Sequence, residues 1–315
     1  MKKLTTIILL MMCLVSYKHL SSQECGYDSS SKSVIYQAGT IPSFLKIYDR
    51  FGREFKLRDI LIDSSNNGNG STDTAEYGLY SILPSAPPYC DQGMFRIYFA
   101  PDLMGIGFSN QAYRNVVCRV FKDLNRLLSD ANPSNTGRVK IWVGSNSAYN
   151  SFIGNWPSSA HKAISSAFRV IPGQVGNEYF DNEVAKTIKS GYNSYAYYPP
   201  EYMDDIDVNA GFYHGYITIN FTDFEYHDDY STASVGSGQL DLYTVVLHEA
   251  FHLLGFESLI NKYGLSNLGN NRYSVYDQYL TWGNNAANKL LGYNTTTGNL
   301  EYKYAGNIPN RGCST

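Results

Sequence analysis

Between Thr244 and Ser258 the chain reads TVVLHEAFHLLGFES, and this segment limits what the chain can fold into more than any other. In a helix, residues four apart share a face one turn from each other, which brings the imidazoles of His248 and His252 together. Two neutral imidazoles at that spacing can chelate one zinc ion, and Glu249 between them reaches water held there. Val245, Val246, Leu247, Ala250, Phe251, Leu253 and Leu254 fill the other positions. The helix is thus apolar nearly all round and is expected to be buried. A buried helix carrying a carboxylate and two imidazoles needs a polar task for them. The plain alternative is a core helix whose histidines bond main-chain carbonyls. Six His and 28 acidic residues in 315 put a chance H-acid-x-x-H at roughly 0.01 per chain, which favours the metal.

The length accommodates one large domain or two modest ones with a sizeable core. A net charge of -3 offers no basic face, so no nucleic-acid partner is expected. Met1 to Ser22 reads as a secretory signal peptide: Lys2 and Lys3, then an apolar run from Ile7 to Val15, then Ser21 and Ser22. That run falls short of the ~18 residues a spanning helix needs, and no later stretch reaches it. The expected location is therefore secreted or periplasmic, with no membrane span. Acylation at Cys13 or Cys25 is a weaker reading, because neither has a small residue directly before it. Beyond the signal, Cys25, Cys90, Cys118 and Cys313 form an even set, which in an exported chain points to disulfides. Cys90 precedes a strand and Cys118 lies on the next helix, so 90 with 118 is the preferred pair.

Residues 23–89 form an N-terminal segment. Within it, Phe44 to Ile62 is expected to form strands around the Phe51-Gly52 turn or a partly helical lead, and Ser64 to Thr74 is a polar linker. This segment is either a removable pro-region that covers a metal site or simple N-terminal packing, the latter slightly preferred. From Cys90 the pattern is regular. Met94–Ala100 reads as a strand, Asn110–Leu128 as a helix with a long apolar stripe, and Arg138–Val143 and Phe168–Ile171 as strands. Asp181–Lys189 reads as a short helix and Tyr213–Phe221 as a strand that precedes the histidine helix. The fold class is α+β, with a mixed sheet, one long helix and the HExxH helix.

That order, ending in HEAFHLLGF, resembles a zincin-fold zinc metallopeptidase of metzincin or leishmanolysin type over residues 90–260. In such proteins an edge strand just before the metal helix pairs with an extended substrate, and YITINF occupies that place. Gly255 resembles the glycine that ends the metal helix and lets the chain turn. The resemblance implies a secreted zinc-dependent metalloendopeptidase acting on peptide or protein substrates. His248 and His252 would be the metal ligands, and Glu249 the general base acting on water.

The sequence also departs from the family. The third ligand of HExxHxxGxxH falls at Ser258, no His follows His252, and no Met follows Met203. Either residues 261–315 are an incomplete C-terminal subdomain, with Thr315 falling where one should continue, or a carboxylate from the tail closes the site. Asp277 in YSVYDQYL is the best candidate, faintly resembling the Asp-bearing segment of aspzincins, with a hydrogen bond to backbone or Tyr as the plainer role. Glu257 reads as a solvated helix-end charge. His161, His214 and His227 read as surface or satisfied histidines. Asp204, Asp205 and Asp207 offer a loop for structural calcium, against a plain solvated loop. A relative that kept the scaffold for binding while losing turnover is the alternative to an enzyme.

Overall fold

The computed structural model describes residues 45–55, 60, 89–100, 107–128, 138–172, 178–197, 212–228, 234–261, 263–269, 271–281, 289–296 and 299–302. The signal segment, the Ser64–Thr74 linker, Cys25, Cys313 and the run holding Asp204, Asp205 and Asp207 lie outside them. The described chain is mixed α+β. Its strands are β1 (Leu45–Tyr48), β2 (Glu54–Phe55), β3 (Cys90–Gln92), β4 (Phe95–Phe99), β5 (Val139–Ser145), β6 (Ala163–Ala167) and β7 (Arg169–Pro172). They continue as β8 (Tyr179–Phe180), β9 (Gly215–Ile219), β10 (Glu225–His227), β11 (Gln239–Asp241), β12 (Tyr273–Ser274), β13 (Leu291–Asn294) and β14 (Asn299–Tyr302). The α-helices are α1 (Gln111–Leu128), α2 (Asn146–Phe152), α3 (Glu183–Ser190) and α4 (Leu242–Leu253).

The central sheet runs β3-β4-β5-β9-β6. Its three middle strands are parallel, and β3 and β6 are antiparallel to their neighbours. The pleat splits each strand between two cores. Phe95, Ile97, Phe99, Val139, Ile141, Val143, Ile217 and Ile219 pack with the buried stripe Val116, Val117, Val120, Phe121 and Leu124 of α1 and with Val246, Ala250 and Leu253 of α4. Tyr98, Trp142 and Tyr216 join a second core with Tyr149, Tyr195, Tyr213, Ile47 and Phe55. RVKIWV alternates in the manner of a half-buried strand, but β5 lies in a sheet covered on both faces and is buried along nearly its whole length.

This two-sided burial corrects one expectation. The strand within YITINF is β9, which lies between β5 and β6 in the sheet interior, so it is not an edge. The strand at that side of the sheet is β6, sequence AISSA. Leu127, at the end of the expected α1 stripe, is exposed.

The second core buries five tyrosines, Tyr98, Tyr149, Tyr195, Tyr213 and Tyr216. The Tyr195 hydroxyl donates to Tyr213 O at 2.8 Å and the Tyr216 hydroxyl to Asp49 Oδ2 at 3.2 Å. Burial pushes both hydroxyls well above the usual phenol range, so they remain donors. The Phe51-Gly52 turn joins β1 to β2, and β1 also pairs along its length with β7. With Ile47 and Phe55 buried in the second core, this hairpin is part of the body of the domain. Any removable pro-region would have to stop short of it.

A disulfide joins Cys90 on β3 to Cys118 on α1, across a sequence separation of 28. Closing a loop of that size stabilises a fold by about 3–4 kcal/mol in the chain-entropy account. The double variant Cys90→Ala/Cys118→Ala is expected to lower the free energy of unfolding by that amount, read from denaturant midpoints at constant slope. An unshifted midpoint would show that the bridge contributes nothing.

Candidate metal centre

Helix α4 lies on the sheet by one stripe, with Leu242, Val246, Glu249, Ala250 and Leu253 buried. The helix is therefore half-buried, not enclosed. Its apolar excess elsewhere is met by partial packing of Tyr243, Val245, Leu247, Phe251 and Leu254, and His248 is exposed to solvent.

The two imidazoles converge. Their Nε2 atoms are 3.2 Å apart, with ring planes 87° to each other. Two nitrogens each ~2.0–2.1 Å from one tetrahedral zinc would be about 3.3 Å apart, so the spacing is close to the bite of a chelate, and it is also that of a hydrogen bond between the two rings. One ligand atom from each of His248, Glu249 and His252 lies within 4.8 Å of the others. Among the described residues no other His, Cys, Asp or Glu joins such a group.

The helix end fixes the tautomer of His252. Gly255 has φ +99°, a conformation a side chain resists. Its N–H donates to His252 O at 3.0 Å, and the Phe256 N–H donates to Phe251 O at 3.1 Å. Those two bonds are the paired hydrogen bonds of a Schellman turn, and Phe251 packs edge-on against Phe256, as such turns favour. The reversal carries the Phe256 carbonyl back to His252, which lies 3.0 Å from Nδ1. Nδ1 is then the protonated nitrogen, and Nε2 keeps its lone pair for a metal. Burial lowers the His252 pKa, the Arg50 charge adds to this, and Glu249 opposes it. The balance favours the neutral, metal-binding form.

Glu249 is 6% exposed and points back under the helix to β6. The Ser165 hydroxyl lies 2.6 Å from Glu249 Oε2 and 3.0 Å from Glu249 O. A hydroxyl has one proton to donate, so it serves one of these oxygens at a time. This partner was hard to read from the sequence, where AISSA has a single β-branched residue, Ile164, among Ala and Ser.

The other expected residues are elsewhere. Asp277 is not brought to the imidazoles. It is fully buried, and its Oδ2 accepts from Ser274 N at 2.8 Å and Leu259 N at 3.1 Å, closing a capping box at the start of a 3-10 turn. Its carboxylate thus takes the plainer, main-chain role. Glu257 is not a solvated charge: it is 4% exposed and ion-paired with the buried Arg169, while its carbonyl accepts from the Ser274 hydroxyl. His161 is exposed. His214 is a satisfied core histidine whose Nδ1 accepts from Lys140 N and whose Nε2 faces Asn193 Oδ1, each at 3.1 Å.

No protein-family model matches the chain, and no curated protein or solved structure matches it.

Two measurements follow from this geometry. Gly255→Ala forces a side chain into a left-handed turn and is expected to weaken zinc binding about 10-fold through the displaced Phe256 carbonyl. Equilibrium dialysis checks this, and unchanged affinity would separate the turn from the chelate. Burial, helped by the Lys140 charge, pushes His214 down to about 3 from 6.5. The unfolded chain therefore takes up a proton below about pH 6.5 that the folded chain refuses, so stability present above that pH is lost as pH falls toward 3. His214→Gln is expected to flatten the pH dependence of unfolding between pH 6 and 4 by up to ~1.4 kcal/mol per pH unit.

Proposed function

We propose that the chain is an exported zinc-dependent peptide-bond hydrolase of the zincin-like class. The observation that carries this reading is the convergence of the His248 and His252 Nε2 atoms at chelating distance with the Glu249 carboxylate beside them. A zinc ion bound there would supply a Lewis acid that polarises a carbonyl and acidifies water. His248 and His252 would hold it as neutral ligands, the second with its tautomer set by Phe256 O.

Glu249 is suited to general-base work because Oε2 is anchored by Ser165 while the carboxylate stays within the metal group. It would take a proton from water on attack and return it to the leaving amine, and one base serving both steps needs such a fixed orientation. Ser165 lies on β6, and among the described residues β6 has a ladder partner, β9, on one side only.

The Cys90–Cys118 bridge supports export, since structural disulfides persist in oxidising compartments. No helix among the described residues is long and apolar enough to cross a membrane. A second reading, a zinc-holding binding protein without turnover, is favoured by a group that contains two imidazoles and no third His, Cys or Asp. With fewer protein ligands, zinc would be held more weakly.

Zinc content and casein cleavage decide between them. The wild type is expected to carry one zinc per chain and to cleave casein. His248→Ala is expected to lose the metal, and Glu249→Gln to retain it while activity falls at least ~100-fold. Full zinc in His248→Ala overturns the ligand assignment, and cleavage that survives Glu249→Gln overturns the mechanism. Zinc binding with no cleavage of any substrate leaves the second reading.

A further inference from the structure

We infer that Arg50 receives a carboxylate of the substrate beside the bond to be cut, which makes the cavity next to His252 a subsite for an acidic side chain or a C-terminal carboxylate. This rests on the hydrolase reading above. The cavity has a volume of about 390 Å³, and His252, Arg50, Phe51, Phe256, Glu257 and Tyr276 are among its walls. Because it shares His252 with the metal group, whatever enters it belongs to a residue adjoining the reacting carbonyl.

The charge in the cavity is uneven. Glu257 is the anion of the wall, but its side chain is 2% exposed and already bonded to Arg169, which is itself 1% exposed. Arg50 is 18% exposed and only 3.9 Å from Glu257 Oε2, beyond hydrogen-bond reach. Two guanidinium groups thus stand against one carboxylate, and the more accessible of the two faces the entering group. Its Cζ lies over the Phe51 ring, 4.8 Å from the centroid, and a guanidinium so placed can offer its N–H groups to a planar acceptor. Arg50 and His252 line the same cavity, so the cation stands beside the imidazole pair.

The wall is built to hold still. Asp49, fully buried, accepts from Phe51 N and Arg53 N at 2.9 Å each through Oδ1. Arg50 is fixed from both sides, its N–H donating to Ser166 Oγ at 2.8 Å and its carbonyl accepting from Asn267 Nδ2 at 3.2 Å. Gly52 turns at φ +79°, where a Cβ would lie 2.3 Å from Asn267 O. These bonds fix the backbone of the turn, and with it the point from which the Arg50 side chain reaches the cavity.

The test uses quenched peptides with both ends blocked and Glu or Gln beside the cleaved bond, and a second neutral set with free or amidated C-termini. Wild type, Arg50→Gln, Arg50→Lys and Glu249→Gln proteins are compared with zinc present. Because Arg50 also acts on His252, the readout is the ratio of kcat/KM within each matched pair. The wild-type ratio is expected to favour the carboxylate about 10-fold or more, to collapse toward one in Arg50→Gln, and to return partly in Arg50→Lys. Preference within the first set assigns a side-chain subsite, and preference within the second assigns a chain-end subsite. Glu249-dependent cleavage with a ratio near one, or one that Arg50→Gln leaves unchanged, overturns this inference alone. If no peptide is cleaved in a Glu249-dependent way, the hydrolase reading fails and the inference fails with it.

Discussion

The seating of α4 on the sheet is the contact on which the rest depends. Its buried stripe lays the helix across β6 and β9, and burial of Glu249 in that stripe puts a carboxylate where only a polar partner makes it tolerable. Ser165 is that partner. The same contact that satisfies the buried acid also sets the rotation of the helix about its axis. That rotation leaves His248 and His252 on the outer side with their Nε2 atoms facing each other.

A second layer of constraint comes from the helix end. The turn at Gly255 is a backbone matter, yet its product is an acceptor placed behind a ring nitrogen. From there the chain passes Glu257, which Arg169 ties to the start of β7, and reaches Ser274 and Asp277, whose hydrogen bonds hold the segment after the helix. Among the described residues the tail therefore frames the imidazole pair and adds no further His, Cys, Asp or Glu to its group.

What could be read in advance follows the range of each interaction. The pairing of His248 with His252 is local to one helical turn, and so was legible. The strands near Phe95–Phe99 and Val139–Ser145, the helix stripe of α1 and the Cys90–Cys118 pair were legible for similar reasons of periodicity and neighbourhood. The position of β9 was not, because a strand buried on both faces has no alternation to reveal which neighbours it takes. Strand β6 was missed because Ile164 is its one residue with a strand preference, among Ala and Ser. Glu257 misled because its partner, Arg169, is 88 residues away. Asp277 was legible in part: Ser274-Val-Tyr-Asp277 has the capping-box spacing, and that signal outweighs a faint family likeness.

The hairpin of β1 and β2 separates two kinds of information in one cleft. The imidazole pair needs five consecutive positions of one helix, whereas Arg50 and Glu257 approach each other across more than two hundred residues of chain. The turn that carries Arg50 is anchored through Asp49, Gly52 and Asn267 rather than through Arg50's own side chain. Variation at that one position can therefore change the charge of the cavity wall while the turn of helix that carries the imidazole pair remains as it is, so the two features are free to drift apart over evolutionary time.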